Sequence, residues 1–154
     1  MKLELVVVGK TTQKWIMTGF DDYVGRLAHY LPCTVREVPA AGAMVPQKAM
    51  EKEGKAILEK IGARDWVVLL DERGDEWTSV QLADFLSKRM NQGVGNLVFV
   101  TGGAFGVSPE VRERANQVLS ASRFTFTHQM IRVIIAEQLY RAMTIIKNES
   151  YHHP

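Results

Sequence analysis

The sequence predicts an α/β fold: a mostly parallel sheet flanked by helices. Two observations carry this. The continuous apolar run at 66–70 and the mostly apolar runs at 3–8 and 96–101 read as strands, the last two in sequence as strands covered on both faces, and amphipathic helical patterns separate them. A third is organisational. No repeat, low-complexity tract or linker interrupts residues 1–154, so the chain reads as a single domain.

The elements follow in order. Residues 3–8 form a β-branched apolar strand ending at Gly9. Thr11 or Thr12 caps a helix over 13–30, where Trp15, Ile16, Phe20, Tyr23, Val24 and Leu27 recur at spacings of three and four before Pro32 stops it. Residues 33–38 alternate as a second strand, and 40–46 is a small, turn-rich segment. A charged amphipathic helix spans 47–61. The run 66–70 is a buried strand, followed by Asp71-Glu72-Arg73-Gly74 as a polar loop. Thr78 or Ser79 caps a helix to Asn91, and 96–101 is another buried strand. Ser108 and Pro109 start a helix to about Val118, by cap chemistry and by a proline at the first helical position. Residues 119–127 are extended and rich in Ser and Thr. A long helix covers 129–147, and a polar tail follows.

Composition bounds the function loosely. Nineteen basic against seventeen acidic side chains leave a net charge of +2, which neither announces nor excludes a nucleic-acid partner. The single cysteine, Cys33, rules out an internal disulfide and fits a reducing compartment. The first apolar run is too short for a signal peptide, and nothing approaches the roughly 20 apolar residues of a membrane span. A soluble, cytoplasmic protein is expected.

Four segments carry possible chemistry. Gly102-Gly103-Ala104-Phe105-Gly106 directly follows a parallel strand, at the sheet edge where open α/β sheets bind ligands. Without β-carbons, Gly102 and Gly103 allow a ligand against bare backbone, or simply make a tight turn. Neither the G-x-G-x-x-G nor the G-K-[ST] spacing is present, which argues against a phosphate-binding nucleotide site. Residues 119–130 offer many backbone groups that need partners, such as a purine edge or a neighbouring strand. The last helix has almost no polar face, so a homodimer interface is expected. Within it, Glu137 and Arg141 form a helix-spaced pair. Arg132 opposes the helix dipole in the first turn and is expected to meet an anion. Finally, Tyr151-His152-His153 end the chain. Adjacent histidines on an extended chain point to opposite faces, which suits chelation poorly, so no metal is expected.

Taken together, these segments resemble one family, the bacterial large-subunit (23S) ribosomal RNA pseudouridine N3-methyltransferases, of the SPOUT class. The resemblance runs over the whole chain. It rests on Met1-Lys2-Leu3 with Val8-Gly9-Lys10, Lys52-Glu53-Gly54, Leu70-Asp71-Glu72-Arg73-Gly74, and Phe99 to Gly106. It continues through Leu119-Ser120, Thr125-Phe126-Thr127-His128-Gln129-Met130-Ile131-Arg132, Glu137-Gln138-Leu139-Tyr140-Arg141-Ala142 and Tyr151-His152. Thr127 departs from the family's common proline, Ala104-Phe105 is bulkier than the usual pair between the glycines, and 40–46 is shorter than in some relatives.

The resemblance implies a SPOUT methyltransferase fold with a deep C-terminal trefoil knot, a homodimer, and S-adenosyl-L-methionine as cofactor. It implies Leu70, Gly102, Ala121, Ser122, Arg123, Phe124, Thr125 and Phe126 as cofactor residues, and 23S rRNA, within the ribosome, as substrate. His128, or Tyr151 with His152, is expected near the N3 proton, and Arg132 and Arg141 near phosphate or developing negative charge. Lys10, Lys14, Arg26, Lys88, Arg89, Arg112, Arg114 and Arg123 are candidate RNA contacts. The rival readings are a same-fold enzyme acting on tRNA or another rRNA position, and a non-catalytic ribosome-associated module.

Overall fold

Alternating side chains of the central strands sort into two separate cores, one on each face of a five-stranded sheet. The computed structural model describes residues 1–153. Its elements are β1 Lys2–Val8, α1 Lys14–Leu27, β2 Cys33–Val38, α2 Pro46–Leu58, β3 Trp66–Glu76, α3 Ser79–Asn91, β4 Asn96–Thr101, α4 Pro109–Arg114, β5 Gln117–Ser120 and α5 Met130–Ile146. The strand order is β2-β1-β4-β3-β5, and every pairing is parallel.

On one face Leu3, Leu5, Val68, Leu97 and Phe99 pack with Phe20 and Leu27 of α1, Leu82 and Leu86 of α3, and Leu139 and Met143 of α5. On the other, Val6, Val8, Val67, Leu69, Val98 and Val100 pack with Ile57 of α2 and Val111 of α4. Steps β1→β2 and β3→β4 run one way across the sheet with their helices on the first face. Steps β2→β3 and β4→β5 run the other way with theirs on the second, as uniformly handed crossovers require. The expected parallel α/β sheet is therefore observed. α5 lies between α1 and α3 on the sheet, and none of its residues is exposed.

Several boundaries differ from expectation. The polar run after Leu70 continues β3 as strand to Glu76, with a register shift against β5 between Leu70 and Asp75. Gly74 makes this possible: a β-carbon there would lie 2.7 Å from backbone atoms of Val118 and Leu119. Helix α4 stops at Arg114 rather than near Val118. The Arg114 guanidinium donates to the carbonyls of Gly62 and Asp65, and Asn116 exchanges hydrogen bonds with Val67, which pulls the chain into β5. Thr78 caps α3 with a full capping box through Gln81, as expected. Neither Thr11 nor Thr12 caps α1. Gln13 holds that position without a side-chain bond, and Gln129 accepts from the amides of Thr12 and Gln13 instead.

Gly74→Ala is expected to destabilise the fold by about 1–3 kcal/mol through overpacking against the β5 backbone. Urea denaturation measures this; an unchanged midpoint would show that β3 and β5 do not need the close approach.

Candidate functional site

The parallel sheet directs the carboxyl ends of β3, β4 and β5 to one edge, and a cavity of about 530 Å³ opens there. Leu70 to Arg73 from β3, Thr101 to Val107 after β4, and Ser120 to Ser122 with Phe124 to His128 after β5 line it, with Ile131 of α5 behind. Its size suits a small organic ligand. Among the described residues, no cluster of three or more His, Cys, Asp or Glu side chains could hold a metal.

Each wall is held by identifiable bonds. Arg73 and Arg112 both pair with Asp71, whose side chain is nearly buried. Burial alone pushes the Asp71 carboxyl up, but hydrogen bonds from the two guanidiniums outweigh it and hold the pKa at about 2. Thr125 donates to Glu72 at 3.1 Å, and the Ser122 hydroxyl accepts from the Phe124 amide at 3.0 Å. These bonds anchor the segment after β5 to itself and to the β3 extension.

The glycine turn is the tight turn that the sequence left open as one of two readings. A β-carbon on Gly102 would lie 2.8 Å from the Gly106 backbone. One on Gly103 would lie 3.0 Å from Glu53 Cδ and closer still to Oε2. The bare backbone at both positions is filled by the protein itself. Gly106, at φ +92°, closes the turn with a bond from its amide to the Gly103 carbonyl.

The comparisons with known proteins agree on one family. The family model described as "Predicted SPOUT methyltransferase" matches residues 1–152. The chain belongs to the SPOUT methyltransferase family. Proteins named "Ribosomal RNA large subunit methyltransferase H" are similar to it: 42% identical in Trichlorobacter lovleyi over 99% of this chain and 100% of that one. The one in Citrifermentans bemidjiense is 44% identical, over 99% of each. A solved structure described as "a probable methylase family protein" from Haemophilus influenzae Rd KW20 shares the fold at TM-score 0.55 and 10% identity, with the match covering 99% of this chain and 70% of the other.

In this SPOUT chain the cavity gathers most of the residues expected around a cofactor: Leu70, Gly102, Ala121, Ser122, Phe124, Thr125 and Phe126, with His128 beside them. Arg123 is not in its lining; its side chain is 91% exposed and pairs with Glu76 on the surface. Burial, then the Arg132 guanidinium, push the His128 pKa below the ordinary imidazole value, against an opposing pull from Glu53. The shift favours the neutral imidazole.

Arg132 does not meet the expected anion. It is fully buried and donates to three neutral oxygens: the His128 carbonyl at 3.1 Å, Thr11 Oγ1 at 2.8 Å and the Val8 carbonyl. Arg141, Tyr151 and His152 form a second cluster outside the cavity lining. Arg141 pairs with Glu137 as the spacing predicts, and Tyr151 bonds Glu137 at 3.1 Å and Tyr23 at 3.3 Å. His152 Nδ1 lies 3.5 Å from Arg141 Nη1, and the Tyr151 and Tyr140 rings meet edge to face. Tyr151 and His152 are thus packed on α1 and α5. Burial, then bonds to Tyr23 and Glu137, push the Tyr151 phenol upward, so it stays protonated.

Several expected RNA cations are otherwise engaged. Arg112 holds Asp71, Arg114 caps carbonyls, Arg89 lies 4.5 Å over the Trp66 ring and Arg26 pairs with Asp22. Sequence reasoning missed Asp71, Glu72 and Glu53 as parts of the site's frame. The signals available were an acidic residue at the end of a buried strand, for Asp71, and the place of all three residues in segments that carry the family resemblance.

Because the Asp71 pKa is depressed, its stabilising contribution is complete above the ordinary carboxylate pKa. It is lost as pH falls from roughly 4 toward 2. Asp71→Asn is expected to be less stable at neutral pH and to flatten this acid limb in pH-dependent denaturation; an unaltered limb would remove Asp71 from the frame.

Proposed function

We propose that this protein transfers a methyl group from S-adenosyl-L-methionine to N3 of a pseudouridine in 23S rRNA, acting on assembled ribosomes. The observation that carries this reading is the cavity itself. It lies beyond the carboxyl ends of the strands, at the glycine turn, in a chain of this family whose relatives bear a ribosomal RNA methyltransferase name.

The residues present fit the cofactor. Thr101 lines the cavity, is 2% exposed, and its Oγ1 is buried without a hydrogen-bond partner, leaving a polar atom for a ligand to satisfy. Leu70, Phe124 and Phe126 offer apolar contact for a purine ring, and the backbone of 121–126 offers polar groups for its edge. When bound, the cofactor supplies an already activated methyl group.

The protein's own task is orientation and proton management. Holding two reactants in line contributes about 7–11 kcal/mol toward such a transfer. The N3 proton of the imide needs an acceptor, and neutral His128 in the cavity wall is suited to that role. Arg132 acts as a positioning residue, since all its hydrogen bonds go to the chain that carries His128 and to the end of β1. Tyr151, His152 and Arg141 do not reach the cavity lining of their own chain. In a homodimer we assign them to the RNA side of the partner's cavity, so that one subunit holds cofactor and the other guides RNA. The half-buried Ile131, Val133, Ile145 and Ile146 of α5 offer apolar surface to that assembly. The knotted path belongs to the same reading: after β5, at the sheet edge, the chain returns past the glycine turn to reach the end of β1 at Arg132.

Mass spectrometry of rRNA from ribosomes incubated with the purified protein and labelled cofactor is expected to show one added methyl on a pseudouridine. Label in tRNA, or at another rRNA base, would replace this substrate. Absence of both cofactor binding and label would favour a non-catalytic module. Deleting residues 151–154 is expected to abolish transfer while calorimetry still detects cofactor binding; full activity would sink the tail assignment.

A further inference from the structure

Glu53 lies on α2, outside the cavity lining, yet it is 7% exposed and carries no salt bridge among the described residues. Its Oε1 accepts the Ala41 amide at 2.9 Å, in the segment between β2 and α2. Its Oε2 occupies the space that a Gly103 side chain would fill. The next residue repeats the fit in reverse: a β-carbon on Gly54 would lie 2.9 Å from Ser108 Cβ and closer still to Oγ, so Ser108 fills the gap at Gly54. The start of α4 and the glycine turn therefore interlock with α2 at two successive residues, one of them a buried carboxylate.

A buried carboxylate is a costly way to fill a gap unless its charge is used. Across the cavity end, Arg132 is a buried cation with only neutral oxygen partners, and His128 lies within the field of both. Asp71, Glu72 and Arg73 face the same cavity from β3, with Asp71 and Arg73 paired to each other. Glu37 reaches Arg132 electrostatically from the β2 side.

We propose that Glu53 is a positioning residue of the transfer site: its carboxylate clasps the 40–46 segment to the glycine turn and places a negative charge behind the cavity wall that His128 shares. The functional part of this inference rests on the methyltransferase reading above. The electrostatic part does not.

Glu53→Gln in the full-length protein keeps the shape and the acceptor for Ala41 while removing the charge. NMR titration of the His128 imidazole reads the electrostatic part without any turnover. Removal of the Glu53 anion is expected to move that titration to lower pH. In steady-state methylation of ribosomes, kcat is expected to fall roughly tenfold to a hundredfold, as for a misplacement remote from the chemistry, with KM for RNA unchanged. Gly103→Ala displaces the same carboxylate, so its loss and that of Glu53→Gln are expected to be non-additive. An unmoved His128 titration, a wild-type kcat in Glu53→Gln, or strictly additive losses would each overturn the proposal. A wild-type protein that methylates no RNA, with the His128 titration still shifted in Glu53→Gln, would instead count against the methyltransferase reading.

Discussion

A fully buried guanidinium joins the two ends of this fold. Arg132 ties the last carbonyl of β1, the loop at Thr11 and the backbone at His128 into one node. A cation in the first turn of a helix works against the helix dipole, and burial adds a desolvation cost. What offsets both is geometry: a planar fork of five donors can serve three acceptors on three segments, which a lysine's compact charge cannot do. The consequence reaches the site. Because Arg132 fills the space beyond β1, the open cavity is displaced toward β3, β4 and β5, and His128 is delivered to its wall.

The legible part of the fold was the part governed by period and by apolar continuity. The buried strands at Trp66 and Asn96, the capping box at Thr78 and the Glu137–Arg141 pair all follow local rules, and the structure has them. What escaped were features settled by distant contacts. The run Asp71 to Gly74 looks like a loop because it is polar, yet it is strand because Gly74 admits the β5 backbone. Helix α4 has the right start, but Arg114 and Asn116 are spent on the chain near Gly62 and Val67. No local pattern discloses such partners.

The site divides the same way. The segments that line its cavity were legible as a set, since glycines after a strand and a serine-rich stretch lie where a parallel sheet exposes its carboxyl edge. Individual roles were less so. Arg132 was expected at an anion and is instead bound by neutral oxygens. Arg123, adjacent to true lining residues, points to solvent. Gly102 and Gly103 lack side chains because the protein's own backbone and Glu53 occupy the space, while their backbone still lines the cavity.

The bridge from Gln129 to the amides of Thr12 and Gln13 spans more than a hundred residues of sequence. It has a consequence for the order of assembly. During synthesis the first helix emerges long before its entry amides have a partner. The sheet can form from local βαβ units, but the node that seals the first helix and the cavity wall waits for the final helix to dock. Contacts of such long sequence separation slow folding. The late step is thus the one that builds the binding cavity, and a nascent chain carrying strands β1 to β5 is still without a finished site.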